Sequence, residues 1–153
     1  MAVIGRRKVV FELKDDVELG RTVDCSTFMI QEMRLDLSSK WFDYKTHSCG
    51  LKYEFSLTIC EARITSVRGP KVPSHDITVF RGGKKDKNKT EWDRSALYFQ
   101  LKGKEKCVAD SGYEGEPDKI VMTKEEHAKD FKEFLARCKN RQETFHWRLK
   151  AFN

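Results

Sequence analysis

Three acidic residues of this chain lie where their carboxylates can act together. Asp24 stands where a short apolar strand is expected to end, Asp110 closes a second short apolar segment, and Glu143 lies in a C-terminal segment with helical periodicity. Hard divalent cations prefer oxygen ligands, so two carboxylates at strand ends and one on a helix suit one or two such ions. Ions held in this way can position the attacking and leaving oxygens of a phosphodiester.

The segments around these acids predict a mixed α/β domain. Residues 51–59 alternate strictly between apolar and polar side chains, which indicates a half-buried strand, and residues 63–67 are its expected hairpin partner. Further strands are expected at 21–30, 106–110 and 119–122, with short helices at 74–80 and 91–101. A long helix is expected from Thr123, because Glu126 completes a capping box and an apolar stripe at helical spacing follows.

This order of elements predicts that two of the acids are neighbours. A crossover between parallel strands of one sheet is almost always right-handed, so the strand ending at Asp110 should lie beside the strand that holds Asp24. Their carboxylates should then be a few ångströms apart. Two like charges at such a distance are costly unless a metal ion neutralises them, and this favours a cation-binding role.

Asp76 competes with Asp110 for the second ligand position. It lies at the expected start of a short helix, where Ser74 or Asp76 is suited to accept hydrogen bonds from the first-turn amides. Helix capping therefore explains Asp76 fully, and we rank it below Asp110. Acid–base chemistry by His47 or His75 is the less favoured interpretation, since both are expected to be polar surface residues.

Composition limits the class of protein and of partner. The chain has 153 residues, enough for one domain with a real core. Its 30 Lys and Arg residues exceed its 24 Asp and Glu residues, and the net charge of +6 fits either a solvated surface or a polyanionic partner. No apolar run reaches the roughly 18 residues of a membrane span, and the N-terminus lacks the apolar segment of a signal peptide.

Basic, aromatic and cysteine residues leave further alternatives open. One loop carries the basic residues Lys84, Lys85, Lys87 and Lys89. It is a solvated loop in the simplest interpretation and a set of phosphate contacts if the domain binds DNA. The aromatic segment 41–45 suits core packing or the anchoring of a loop better than base stacking. The five cysteines form no C-x-x-C pair, which favours reduced intracellular thiols, and Cys25 is expected to be a strand residue rather than a nucleophile.

A set of short motifs accompanies the acids. They are Thr22-Val23-Asp24-Cys25-Ser26, Gly50-Leu51-Lys52-Tyr53-Glu54, Gly69-Pro70, His75-Asp76-Ile77, Phe80-Arg81, Ala109-Asp110-Ser111-Gly112-Tyr113-Glu114-Gly115 and Arg141-Gln142-Glu143-Thr144-Phe145. Together they resemble the DDE superfamily of transposases, and within it the eukaryotic DDE endonucleases of the Harbinger/IS5-like type. The resemblance covers residues 21–153 and leaves residues 1–20 as an N-terminal extension.

The resemblance implies a fold and an activity. The fold would be ribonuclease H-like, a five-stranded mixed sheet flanked by helices on both faces. Asp24, Asp110 and Glu143 would be the catalytic and metal-binding acids, holding Mg²⁺ or Mn²⁺ in its place, while Asp76 would cap the helix between the third and fourth strands. The reaction would be hydrolysis of DNA and transfer of its strands. Transposon ends and target DNA would be the partners, and the location would be the nucleus.

The chain also departs from the family pattern. The first acid is followed by Cys25-Ser26 rather than Gly-Thr, and family members normally continue beyond a position equivalent to Asn153, which implies a C-terminally truncated domain. Self-association or a separate DNA-binding partner then stays open. One alternative is a catalytically inactive, transposon-derived fragment with at most weak DNA binding. Another is an unrelated basic binding module in which the three acids are structural.

Overall fold

The computed structural model describes residues 17–31, 38–61, 63–83 and 92–152, and these form a mixed α/β structure, as predicted. The strands are β1 (Glu18–Met29), β2 (Phe42–Asp43), β3 (Ser48–Thr58), β4 (Ile64–Lys71), β5 (Glu105–Val108) and β6 (Ile120–Val121). The helices are α1 (Asp76–Arg81), α2 (Leu97–Gln100) and α3 (Lys129–Lys150). Most of the N-terminal extension expected at residues 1–20 lies outside the described residues.

Strand β1 lies at the centre of one mixed sheet. It pairs antiparallel with β3 on one side and parallel with β5 on the other, and β6 continues the sheet parallel to β5. Both β2 and β4 pair antiparallel with β3. The described residues thus contain six strands rather than five, and the additional one is the two-residue β2. The predicted parallel pairing of the two acid-bearing strands is confirmed.

Asp24 does not end its strand, contrary to the sequence-based expectation. Strand β1 continues to Met29 because it keeps pairing with β3 as far as the Met29–Gly50 register pair. Its parallel pairing with β5 stops earlier, at the Thr22–Val108 pair. Asp24 therefore lies level with the carboxyl end of β5, where the chain leaves the sheet towards Asp110.

Helices cover both faces of the sheet. Adjacent residues of β5 point to opposite sides, since Cys107 packs into one buried cluster and Val108 into another. The first cluster contains Phe80 of α1 and Leu97 of α2. The second contains apolar residues of α3, including Leu135. Burial of these side chains from water is the main force that holds the helices against the sheet.

The buried stripe of α3 changes character along its length. Its first half is apolar, while its second half is polar: the buried residues are Phe131, Leu135, Cys138, Gln142 and His146. They follow one another at intervals of three or four residues, which places them on one face of the helix. The polar half lies against the part of β1 that holds Asp24. Phe152, which the sequence assigned to the apolar stripe, is 91% exposed. No helix among the described residues has the length and apolar character that crossing a bilayer requires.

Candidate metal centre

Three carboxylates converge at the edge of the sheet where β5 ends. Asp24 comes from the middle of β1, Asp76 is the first residue of α1, and Asp110 follows β5 by two residues. One oxygen from each carboxylate lies within 4.8 Å of the other two. Ligands of one Mg²⁺ or Ca²⁺ lie about 2.0–2.6 Å from the ion, so two ligands on opposite sides are about 4–5 Å apart. The group therefore has the dimensions of a single cation site.

A tight turn brings Asp110 to this group. The chain leaves β5 and forms a 3-10 turn at Ser111–Tyr113, and Oδ1 of Asp110 accepts a hydrogen bond of 2.9 Å from the amide of Gly112. A Cβ atom on Gly112 would lie 2.9 Å from Oδ2 of Asp76 and 3.1 Å from Oδ1 of Asp110. Glycine at this position therefore leaves room for two carboxylates side by side.

Asp76 does not form the helix cap that the sequence predicted. His75 occupies the capping position of α1, and no side chain caps the first turn. Oδ1 of Asp76 instead accepts a hydrogen bond of 2.8 Å from Nζ of Lys52, and the same ammonium donates to the carbonyl of Ser74. The local explanation that ranked Asp76 below Asp110 is therefore wrong, because the side chain of Asp76 faces the other two acids.

Lys52 partly balances the charge of the three acids. Its side chain is mostly buried, and it reaches Asp76 from β3, where it is the register partner of Thr27. Three carboxylates held this close repel one another unless cations neutralise them. One ammonium offsets one of the three negative charges, so an excess of negative charge stays at the site. A divalent cation would balance that excess.

Helix α3 contacts the group through a residue that the sequence did not single out. Nδ1 of His146 lies 3.3 Å from Oδ2 of Asp24, while Oδ1 of Asp24 accepts a hydrogen bond of 2.8 Å from the amide of Cys25. Gln142, one turn earlier on α3, is buried beside His146. The sequence contains a signal for the burial of both residues, because they continue the spacing of Phe131, Leu135 and Cys138. Polar residues on such a stripe are nevertheless easily assigned to the surface.

Glu143 is not a member of the carboxylate group. It lies on α3 between the two inward-facing residues, and its side chain is exposed. The three acids that approach one another among the described residues are Asp24, Asp76 and Asp110. Of the three acids proposed from the sequence, the structure therefore brings together Asp24 and Asp110 and leaves Glu143 outside.

Cys25 has the properties of a partly buried strand residue. The hydroxyl of Tyr113 donates a hydrogen bond of 3.3 Å to its Sγ. Burial raises the pKa of the Cys25 thiol, and the nearby carboxylates of Asp76 and Glu54 raise it further. The thiol is thus uncharged at neutral pH, which does not suit a nucleophile. His47 and His75 are exposed, as expected. The predicted basic loop of Lys84, Lys85, Lys87 and Lys89 lies outside the described residues.

Glu54 is a buried acid beside the group. It is 2% exposed, pairs in register with Cys25 across β1 and β3, and has no hydrogen-bond partner for either carboxyl oxygen among the described residues. Burial raises the pKa of Glu54 to about 8, with the guanidinium of Arg68 opposing the shift and Asp76 adding to it. Glu54 is therefore mainly protonated at neutral pH.

Comparison with known proteins finds no significant match. No protein-family model matches the chain, and no curated protein or solved structure is significantly similar to it. The resemblance to DDE endonucleases accordingly has only the sequence motifs behind it. The geometry is an independent observation: two acids from those motifs, Asp24 and Asp110, are neighbours, and Asp76 from a third motif joins them.

Proposed function

We propose that this protein is a divalent-cation-dependent endonuclease domain that cleaves DNA and transfers its strands. The observation that carries the proposal is the approach of Asp24, Asp76 and Asp110 to within 4.8 Å of one another. Hard cations bound by such oxygen ligands are the usual means of positioning the oxygens of a phosphodiester. The motifs that resemble DDE endonucleases point to the same chemistry.

The strand arrangement supports a ribonuclease H-like version of the α/β fold. Without the short β2, the strand order is β4-β3-β1-β5-β6, with β1, β5 and β6 parallel and β3 antiparallel to β1. The first acid then lies on the first strand and the second follows the fourth, which is the placement that the resemblance implies for Asp24 and Asp110. Helices on both faces of the sheet agree with it as well.

Asp24, Asp76 and Asp110 would hold Mg²⁺, or Mn²⁺ in its place. When bound, the ion would polarise a phosphate and lower the pKa of a bound water. Asp24 is positioned by the amide of Cys25 and by His146, and Asp110 by the amide of Gly112. Ligands held in place before a cation arrives lose little freedom on binding it, which favours affinity.

DNA is the proposed substrate because the chain combines a net positive charge, which attracts polyanions, with a carboxylate group of the size of a cation site. Its net charge is +6 although the site itself is acidic. Contacts to phosphates would position the DNA without reading its sequence. Transposon ends and target DNA, which the resemblance implies, are the proposed partners of the two reaction steps.

A plasmid-nicking assay tests this function. We expect the wild-type protein to convert supercoiled plasmid to nicked circles with Mn²⁺ and not with EDTA, and Asp24→Asn to abolish the reaction. Asp118→Asn is the matched control, because Asp118 is exposed and outside the carboxylate group. Nicking that persists in Asp24→Asn would contradict the assignment of the site.

The contact of Lys52 with Asp76 favours a second candidate function. An ammonium 2.8 Å from Oδ1 of Asp76 takes a place that a cation would otherwise occupy. This is the arrangement expected of an inactive, transposon-derived domain that keeps its fold and weak affinity for DNA. Salt-dependent DNA binding without any nicking, and without binding of Mn²⁺, would favour this candidate over the endonuclease.

A further inference from the structure

A chain of polar contacts runs from β1 through α3 and back to β1. The hydroxyl of Thr22 donates to Oε1 of Gln142, and Nε2 of Gln142 donates to the backbone carbonyl of Phe55 at 3.2 Å. The same Nε2 lies 3.4 Å from Nε2 of His146, whose Nδ1 is 3.3 Å from Oδ2 of Asp24. Thr22, Gln142 and His146 are all buried.

These polar contacts assign the tautomer of His146. A backbone carbonyl only accepts hydrogen bonds, so the amide nitrogen of Gln142 must face Phe55, and that same nitrogen faces the imidazole. Nε2 of His146 therefore meets a donor and must be the accepting nitrogen. The ring hydrogen is then on Nδ1, the atom that faces the carboxylate of Asp24.

The same contacts leave His146 without a free ring nitrogen. Nε2 is used by Gln142 and Nδ1 by Asp24, and the ring packs against Phe55 and Phe145 with centroid distances of 5.5 and 5.7 Å. Packing on this scale holds the ring in one orientation. His146 is therefore placed to hold the carboxylate of Asp24, and it has no free ring nitrogen with which to bind a cation itself.

We propose that His146 is a positioning residue, which holds the carboxylate of Asp24 through Nδ1–H in a tautomer set by Gln142. This inference rests on the proposed cation-binding function and deepens it. Helix α3 then contributes to the site by orienting the carboxylate of Asp24 on β1, and not by supplying a carboxylate of its own from Glu143. Outer partners of this kind typically change metal affinity 10- to 100-fold when removed.

Two substitutions separate the orientation of the Asp24 carboxylate from the aromatic packing of the His146 ring. His146→Phe keeps an aromatic ring against Phe55 and Phe145 but has no donor for Asp24. His146→Asn keeps an amide donor near the position of Nδ1 but loses the aromatic packing, so we expect it to melt at the lower temperature. We nevertheless expect His146→Phe to lose about tenfold or more in Mn²⁺ affinity by calorimetry, and His146→Asn to keep most of it. Mn²⁺ affinities that follow the melting temperatures, or a His146→Phe protein that binds as well as wild type, would overturn the inference.

A measurement without metal keeps the inference separate from the proposed function. Long-range ¹H–¹⁵N correlation spectra of the cation-free protein should show the Nδ1–H tautomer of His146, and Gln142→Met should reduce its population. An Nε2–H tautomer in the wild type would overturn the inference even if Mn²⁺ binds. Absence of Mn²⁺ binding by the wild type, with the Nδ1–H tautomer present, would instead overturn the proposed function and leave the contact with Asp24 as a structural one.

Discussion

The ammonium of Lys52 lies 2.8 Å from Oδ1 of Asp76, so the carboxylate group already holds one cationic partner. This contact ties β3 to the first residue of α1. It stabilises the acids when no metal is bound, and it competes with a metal for one of the oxygens of Asp76. The balance between these two effects can be measured.

Replacing Lys52 by Met should make the fold more dependent on a divalent cation. Without Mn²⁺, the melting temperature should fall, because three acids then face one another without the ammonium. With Mn²⁺, the variant should gain more in melting temperature than the wild type does, because the competitor for Asp76 is gone. Lys102→Met is the control, since Lys102 is exposed. An equal Mn²⁺-induced gain in wild type and Lys52→Met would argue against a cation at Asp76.

Replacing Gly112 by Ala should damage the site through crowding. The added methyl group would lie 2.9 Å from Oδ2 of Asp76 and force one of two carboxylates to move. Crowding of this kind typically costs about 1–3 kcal/mol of stability. We expect weaker Mn²⁺ binding in calorimetry as well. Gly20→Ala is the control. The atom nearest to its new methyl group would be Oε1 of Glu105, which is 3.4 Å away and belongs to a flexible side chain. Unchanged Mn²⁺ affinity in Gly112→Ala would place the cation elsewhere.

The buried Glu54 should make the stability of the protein depend on pH. Burial raises the pKa of Glu54 from 4.5 to about 8, so the folded state favours the protonated acid. Its contribution to the free energy of unfolding is therefore complete below pH 4.5 and is lost as the pH rises towards 8. The loss amounts to at most about 5 kcal/mol, at about 1.36 kcal/mol per unit of pKa.

Glu54→Gln isolates this effect from the titration of other groups. Denaturant unfolding at several pH values should show the variant gaining stability relative to wild type as the pH increases from 5 to 9. The exposed Glu133→Gln should show no such trend. A constant difference between Glu54→Gln and wild type over this range would mean that the acid is not protonated in the folded protein.

Much of the sheet could be predicted because the sequence patterns that indicate its strands lie within short segments. The strict alternation of residues 51–59 indicates a strand, and handedness then places the strand of Asp110 beside that of Asp24. The half-buried character expected of that strand was wrong, because its polar residues Lys52, Glu54 and Ser56 are buried too. Asp24 was expected at a strand end, but the end of β1 depends on its pairing with β3, a partner distant in sequence.

The composition of the site was harder to predict because it depends on tertiary contacts. Helix capping explains an Asp at a helix start, and nothing local shows that Lys52 draws Asp76 towards the other acids. The buried stripe of α3 was traced through its apolar residues, so Gln142 and His146 were missed. Their burial follows from polar partners on β1 and β3, which no periodicity reveals.

DNA binding should be weak, independent of sequence and sensitive to salt. Fluorescence anisotropy with a duplex should give a log–log slope of about −0.9 for each phosphate contacted. Replacing Lys84, Lys85, Lys87 and Lys89 together by Gln should make the slope shallower. The control replaces the exposed residues Lys102, Lys104, Lys124 and Lys129 by Gln, which removes the same charge elsewhere. Equal changes in the two variants would assign binding to net charge alone, and no salt-dependent binding by the wild type would contradict DNA as the substrate.

The central claim is that Asp24, Asp76 and Asp110 bind one divalent cation, and calorimetric titration with Mn²⁺ tests it most directly. We expect wild type to bind one equivalent, Asp76→Asn and Asp110→Asn each to lose about tenfold or more in affinity, and Glu143→Gln to bind like the wild type. Circular dichroism would show that all four proteins are folded. A folded wild type that binds no Mn²⁺, or a loss of affinity in Glu143→Gln but not in Asp76→Asn, would contradict the claim.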